Sequence, residues 1–483
     1  MSDLAVLDWK SLERFPIPDE RELDEMIKKE LAQSNKKIVV LDDDPTGVQT
    51  VHDVSVYTDW SEESICSGFE EEKNLFYILT NSRGFTEGQT ATCHTEIIER
   101  VDRTAKKMGK EYMIVSRGDS TLRGHYPLET ELLRKGFEAD GTKKADGEIL
   151  CPFFKEGGRY TIGNVHYVKN GEQLIPVGQT EFAKDRTFGY QSSNLCEYIE
   201  EKTKGKYPAD EVTCITLDEL RGQKYDEIEE KLMNVQGFGK IIVNALDYCD
   251  LKVFTIALYR VMRQGKNFMF RTAAALVKVM GGISDKPLLT RKDMVVNETT
   301  NGGIIVIGSH TQKTTSQLEE LKKVKGLVFL EFNSDLVLDE EVFTKEIEKT
   351  LQLEEKWIAA GNTVVVYTRR KLLVIENDTK EEALLRSVKI SEAVQSLVGR
   401  LNVTPAFVIA KGGITSSDVG TKALCVKKAN VMGQIRPGVP VWQTGKESRF
   451  PMIPYVIFPG NVGEVTTLRE AVESLLDRMD CSL

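Results

Sequence analysis

An apolar run, Ile38-Val39-Val40-Leu41, ends at three consecutive aspartates, Asp42-Asp43-Asp44, and a turn, Pro45-Thr46-Gly47. A short apolar run bounded by a proline and a glycine predicts a buried strand. The carboxylates then project from its carboxyl end, which is where open α/β sheets bind ligands. Three adjacent carboxylates repel one another, so the cluster calls for water, a metal ion or cationic side chains beside it. An acidic strand-to-loop turn is the plainer alternative, and the buried strand behind it argues for function.

The rest of the chain repeats this alternation of apolar runs, polar turns and helical spacing. It predicts an α/β fold: two α/β domains with mainly parallel sheets and the active site in the interdomain cleft. A leading helix over 19–34 places Leu23, Met26, Ile27 and Leu31 on one face. Strands are expected at 54–58, at 75–80, which runs to Arg83, and at 112–115. The last runs into Ser116-Arg117-Gly118-Asp119-Ser120-Thr121-Leu122-Arg123-Gly124-His125. Such a loop is poor core and good binding surface. Arginine offers a planar fork to a carboxylate, aspartate accepts from sugar hydroxyls, and glycine lets the backbone come close. The plainer reading is a surface pair between Asp119 and Arg123. Gly157-Gly158-Arg159 is a second candidate anion contact, and His166, with no partner nearby in sequence, reads as structural. Asp250 is expected to cap a helix over 251–262.

Glycine-rich, weakly periodic sequence over 281–302 predicts a linker between a first domain, 1–280, and a second, 303–483. The second domain opens with a strand ending at Gly308-Ser309-His310-Thr311. Its most informative stretch is Val408-Ile409-Ala410-Lys411-Gly412-Gly413-Ile414-Thr415-Ser416-Ser417-Asp418. A strand, two glycines, capping hydroxyls and a helix start aim backbone N–H groups and the positive end of a helix dipole at one point, which suits a phosphate. Glycine-punctuated loops at 433–442 and 458–463 strengthen the case for a nucleotide pocket.

A formal net charge of −10 and a pI near 5.4 argue against a general polyanion binder, so no nucleic acid partner is expected. The amino terminus has no secretory h-region and no apolar stretch reaches the length of a membrane span, which points to a cytoplasmic protein. The eight cysteines form no CxxC pair and read as reduced thiols. Neither a Walker P-loop, a full GxGxxG after a strand, nor a zinc-type Cys/His cluster occurs.

In order along the chain, Asp43-Asp44-Pro45-Thr46-Gly47, Asp119-Ser120-Thr121-Leu122-Arg123-Gly124, Gly158-Arg159 with Gly163-Asn164-Val165-His166, Gly412-Gly413-Ile414-Thr415, Pro437-Gly438-Val439-Pro440 and Gly460-Asn461-Val462-Gly463 resemble the four-carbon acid sugar kinases. The resemblance covers about 38–478. It implies an amino-terminal sugar-acid-binding domain, a carboxyl-terminal nucleotide-binding domain, and ATP with Mg2+ as cofactors. Asp43 or Asp44 would then orient and deprotonate the acceptor hydroxyl, and Arg83, Arg123 or Arg159 would grip the substrate carboxylate beside Asp119 and Ser120. Ser309 or Thr311, the turn Gly412, Gly413, Ile414 and Thr415, and Gly460 would hold the nucleotide. The chain departs from the family's usual pattern at Asp42, Pro45, Val48 and Asn244, which bears on the identity of the acid. Two rival readings stand beside this one. Asp42-Asp43-Asp44-Pro45-Thr46 also fits the strand-then-DxDxT of haloacid-dehalogenase-type phosphatases, with Asp42 as nucleophile; the same domains could also form a non-catalytic sugar-acid-binding protein. The particular acid, the hydroxyl, the metal ligands and a homodimeric state are left open.

Overall fold

The computed structural model describes residues 4–476 except 13–14, 297–298, 372, 374, 376–377 and 461. The chain forms two units, Met1–Gly47 with Asp59–Asp285, and Val48–Thr58 with Lys286–Leu483.

The first unit is built on a parallel sheet. Its strand order is Thr213–Ile215, Gly239–Val243, Gly147–Cys151, Phe268–Thr272, Glu111–Arg117, Lys36–Asp42, Leu75–Leu79. Parallel strands need crossover helices that cover both faces, which is why they read as continuous apolar runs instead of alternating ones. Helices such as Glu87–Met108 and Tyr248–Arg263 supply the cover. The leading helix is Glu20–Ala32, with the Asp19 carboxylate accepting from the N–H of Arg21 and Glu22. The cap of Tyr248–Arg263 is Asp247, one turn earlier than expected, and Asp250 is the third residue of its capping box. Both aspartates suit an N-terminus; Asp250 is instead fully buried and receives Arg221, whose Nη2 lies 3.0 Å from Oδ2. A separate antiparallel sheet, Leu7–Asp8, Gln173–Pro176, Val165–Asn170 and Arg159–Ile162, carries Arg159 at its last strand's first residue.

In the second unit five parallel strands, Leu327–Phe332, Thr363–Thr368, Ile304–Ile307, Val408–Lys411 and Pro454–Phe458, continue into antiparallel Val439–Thr444, Lys428–Arg436 and Val54–Tyr57. Val54–Tyr57 thus pairs with sequence almost four hundred residues later, at Lys428–Val431. Ile305, Ile307, Phe407, Ile409, Val456 and Phe458 form the core under the helices Gln312–Leu321 and Thr467–Leu476. The helix after Gly412 is short, Gly413–Asp418, and widens into a π-type turn, Val419–Ala423. No helix among the described residues is long and apolar enough to cross a membrane.

Candidate functional site

The cations that the aspartates require come from neighbouring strand ends. Register pairs Asp42 with Arg117, the last residue of the adjacent strand. Arg117 Nη1 lies 2.9 Å from Asp42 Oδ1, 3.3 Å from Asp43 Oδ1 and 3.7 Å from Asp44 Oδ1. Arg83, in the turn Ser82–Gly84 after the strand on the other side, donates Nε and Nη2 to the two Asp43 oxygens at 3.1 and 2.6 Å and Nη1 to Asp44. Arg271, from Phe268–Thr272, donates to Glu129 Oε2 at 2.7 Å and to the Arg123 carbonyl at 3.0 Å. Sequence reasoning gave no role to Arg117, Arg271 or Glu129. The available signal was a charge inside an otherwise apolar strand, Phe268-Met269-Phe270-Arg271.

The three aspartates occupy different environments. Asp42 is 1% exposed, and a Cβ on Gly47 would lie 2.0 Å from its Oδ1, so the turn closes over the carboxyl group only because residue 47 is glycine. Burial, reinforced by Asp44 and Asp43, pushes Asp42 up to about 8 against the pull of Arg117. Asp43 is also buried and burial raises it, while Arg83 grips both its oxygens. Asp44 accepts from the Thr46 N–H at 2.7 Å and from the Thr46 hydroxyl. Burial opposes its ionisation, yet Arg83 and Arg117 hold it below the usual carboxylate range. With 16% of its side chain exposed, Asp44 is the ionised carboxylate of the three that meets solvent. A phosphatase nucleophile needs an open face for in-line attack, and the enclosure of Asp42 by Gly47 and Arg117 counts against the DxDxT reading.

A pH test follows. Between the unfolded carboxyl value near 4 and about 8, folding leaves Asp42 holding a proton that the unfolded chain has lost, so its contribution to stability falls as pH rises through that window. Asp42→Asn keeps the shape without the proton. Its urea midpoint, relative to wild type, is expected to rise steadily from pH 5 to pH 8; a constant difference would mean that Asp42 is ionised throughout.

The loop after Arg117 is held carbonyl by carbonyl. Ser120 O accepts from His166 Nε2 at 2.8 Å, Thr121 O from the Tyr190 hydroxyl at 2.6 Å, Leu122 O from the Tyr198 hydroxyl at 2.9 Å, and Arg123 O from Arg271. Burial pushes His166 down to about 4, so it is a neutral brace. Gly124 has φ +121°, and a Cβ there would sit 2.6 Å from Arg271 Nη2; at Gly118 it would sit 2.0 Å from Nη1. Both glycines are needed for Arg271 to pass beneath the loop. This bracing presents Asp119, which accepts from Arg123 Nε at 2.7 Å and lies 3.9 Å from Arg83 Nη1. Against burial, Arg83 and Arg123 hold Asp119 well below the usual range. Ser120 is buried in the same loop.

Arg159 differs from the other arginines. It and Arg123 lie over the Phe182 ring, at 5.5 and 5.1 Å from its centroid. Arg83, Arg117, Arg123 and Arg271 are each paired with acids, whereas the Arg159 side chain has neither ion pair nor hydrogen bond among the described residues, and its Nε is buried without a partner. Phe182 was not singled out from sequence; an aromatic in a polar stretch carries no spacing signal.

In the second unit, register pairs Ile307 with Lys411 and so brings the two following turns side by side. The Ser309, Thr311 and Thr314 hydroxyls lie 3.0–3.4 Å apart at the start of Gln312–Leu321, which Thr311 caps. Gly412 has φ +120°, and a Cβ there would lie 3.1 Å from Ser309 Cβ and 3.4 Å from Thr415 Oγ1. The expected hydroxyl cap is absent: Gly412 is the cap residue, and Ser416 Oγ donates to the Ala410 carbonyl instead. The N–H groups of Gly413, Ile414 and Thr415 therefore have no partner within the helix. Open space surrounds Gly413 and Gly460, and the Ile414 side chain is exposed. Lys411 Nζ donates to Pro459 O at 2.5 Å and lies 3.3 Å from Gly460 O, which joins Gly460 to this turn. Arg370, also unnoticed in the sequence, donates to the Ser309 carbonyl and to Thr315 Oγ1, the latter from Nε at 3.3 Å. Asn461 lies outside the described residues.

Hydroxyls, unpartnered helix-start N–H groups and glycines with open space fit the phosphates of a nucleotide. Among the described residues no group of three or more His, Cys, Asp or Glu is placed to hold a metal ion.

Residues 38–280 match the model of a sugar-binding N-terminal domain, and 304–468 that of a nucleotide-binding C-terminal domain. No curated protein matches the chain. Among solved structures, the Haemophilus influenzae protein HI1011 (family model DUF1537) is 16% identical, with a TM-score of 0.58 over 90% of this chain and 100% of that one. A Salmonella typhimurium LT2 protein provisionally named a tRNA synthase is also 16% identical, with a TM-score of 0.64 over 90% of this chain and 98% of that one. At that identity the likeness concerns the fold.

Proposed function

The chain belongs to the four-carbon acid sugar kinase family, and from that membership we propose that it is an ATP-dependent kinase that phosphorylates a hydroxyl of a small, four-carbon sugar acid. Phosphoryl transfer asks little covalent chemistry of a protein; it needs a positioned alcohol, a carboxylate to take its proton, and donors on the phosphates. Asp44, ionised and open to solvent, takes the proton. Asp43 holds Arg83 in place behind it. Asp119 and Ser120 receive the acid's hydroxyl groups. The turn Gly412–Thr415 with Ser309, Thr311 and Gly460 holds the nucleotide, and Mg2+ brought in with ATP would supply charge neutralisation on its phosphates.

The observation that carries the reading is Arg159, the guanidinium left uncommitted beside Asp119 and Arg123. Of the three arginines that sequence left open for the substrate carboxylate, Arg83 and Arg123 already serve aspartates. An incoming carboxylate supplies the partner that Arg159 lacks, and a charge-assisted, forked pair contributes about 1.5–3 kcal/mol. In a coupled assay over a panel of tetronates and related hydroxy acids, ATP consumption is expected with at least one acid and not with the matching neutral polyol. Arg159→Met should raise KM for that acid by about 10- to 100-fold and leave KM for ATP unchanged. Absence of ATP consumption across the panel, with tight acid binding, would support the non-catalytic reading instead.

A further inference from the structure

Lys411 is fully buried at the carboxyl end of Val408–Lys411, and among the described residues no carboxylate pairs with it. Its partners are the carbonyls of Pro459 and Gly460 and the Phe458 ring, 4.4 Å from Nζ. A buried ammonium group without a counter-ion is costly, and uncharged side chains of similar volume would pack there more cheaply. The strands beside it, Ile304–Ile307 and Pro454–Phe458, carry no charged residue. The short helix that follows has only Asp418, which is engaged by Lys422 at 2.8 Å and by the Ser391 hydroxyl at 2.8 Å. The other charge that acts on Lys411 is the like-charged Lys313, on Gln312–Leu321.

We propose that Lys411 is a positioning residue for the nucleotide, which ties the Pro459–Gly460 loop to the Gly412–Thr415 turn and takes the bound polyphosphate as its counter-ion. This rests on the kinase reading above, since it needs a polyanion on that turn. Two elements carry the geometry independently of any titration: one side chain reaches from the glycine turn to the carbonyls of the second loop, and the turn that follows it presents N–H groups with no partner within the helix. Burial, with Lys313 adding to it, brings Lys411 down to about 7. A polyanion above it restores the charge, so nucleotide binding draws a proton into the protein near neutral pH.

Calorimetric titration of the full chain with ATP, without acid substrate, tests this. In two buffers of different ionisation enthalpy at pH 7.5, wild type is expected to take up a proton on binding ATP. The nucleotide's own terminal phosphate would release one in a cationic site, so the sign distinguishes the two. Lys411→Met should weaken ATP binding by about 10- to 100-fold, abolish the uptake and leave acid binding unchanged. Propylammonium should restore part of the affinity to Lys411→Ala. ATP binding by Lys411→Met that equals wild type, or wild-type binding with no proton uptake, overturns the inference alone. A wild-type protein that does not bind ATP overturns the kinase reading, and this inference with it.

Discussion

Asp44→Asn is expected to lower kcat by about 10²- to 10⁴-fold, the usual contribution of a positioned general base, while KM for the acid and for ATP changes little. The expectation follows from how the three carboxylates divide the available charge. Asp42 is closed off by Gly47, and Asp43 is spent on both donors of Arg83. Asp44 keeps an exposed edge while the Thr46 N–H and the two arginines hold it ionised, so it can accept a proton only from a donor whose acidity rises during reaction. A sugar hydroxyl whose oxygen is bonding to the γ-phosphoryl group as ADP leaves is such a donor, and its proton passes to Asp44. Asparagine retains an oxygen for the Thr46 N–H and a similar volume, so the turn stays formed and the loss is confined to turnover. Steady-state kinetics with the competent acid checks it. A variant with unchanged kcat would move the role to Asp43, whose own substitution would then have to fail for chemical and not structural reasons.

Much of the architecture was legible because parallel strands under helices on both faces must be continuously apolar, and their ends must turn polar where the chain leaves the sheet. Ile38–Leu41 and Val408–Ala410 announced themselves in this way, and with them the two polar turns that follow. Partners were not legible. Arg117 meets Asp42 through strand register, and Arg271 reaches the loop at Gly118 and Gly124 from almost 150 residues away; neither relation leaves a trace in local spacing. The same holds for Val54–Tyr57, whose apolar alternation predicts a strand but cannot say that it joins Lys428–Arg436. At the site, sequence named the acids and three candidate arginines but could not rank them, because commitment is a property of neighbours in space. Arg159 stands apart only once Arg83 and Arg123 are seen gripping aspartates. The cap at Asp247 shows the local version of the problem: two aspartates three residues apart both satisfy the rule, and packing against Arg221 decides between them.

Arg117→Met is expected to cost about 3–5 kcal/mol of stability in the first unit at neutral pH, the penalty for leaving buried charge uncompensated. Arg117 is 4% exposed and lies within 3.7 Å of all three aspartates. Without it, Asp43 and Asp44 share Arg83 alone, and in a buried setting the surplus negative charge is relieved by taking up a proton. The folded variant then binds more protons than its unfolded chain between about pH 4 and 7, so its stability falls as pH rises and the deficit against wild type shrinks toward pH 5. Adding Asp44→Asn removes the surplus charge and should recover much of the loss at pH 7.5, whereas adding Asp42→Asn should give no more than the gain it gives wild type at that pH, because Asp42 already holds a proton. Urea unfolding of wild type, Asp42→Asn, Arg117→Met and the two double variants at pH 5 and 7.5, followed by circular dichroism, reads this out. Recovery by Asp42→Asn that exceeds its gain in wild type and equals that of Asp44→Asn would mean that the proton is shared across the cluster, and an unchanged midpoint for Arg117→Met would remove the ion network from the account of how this strand end is held.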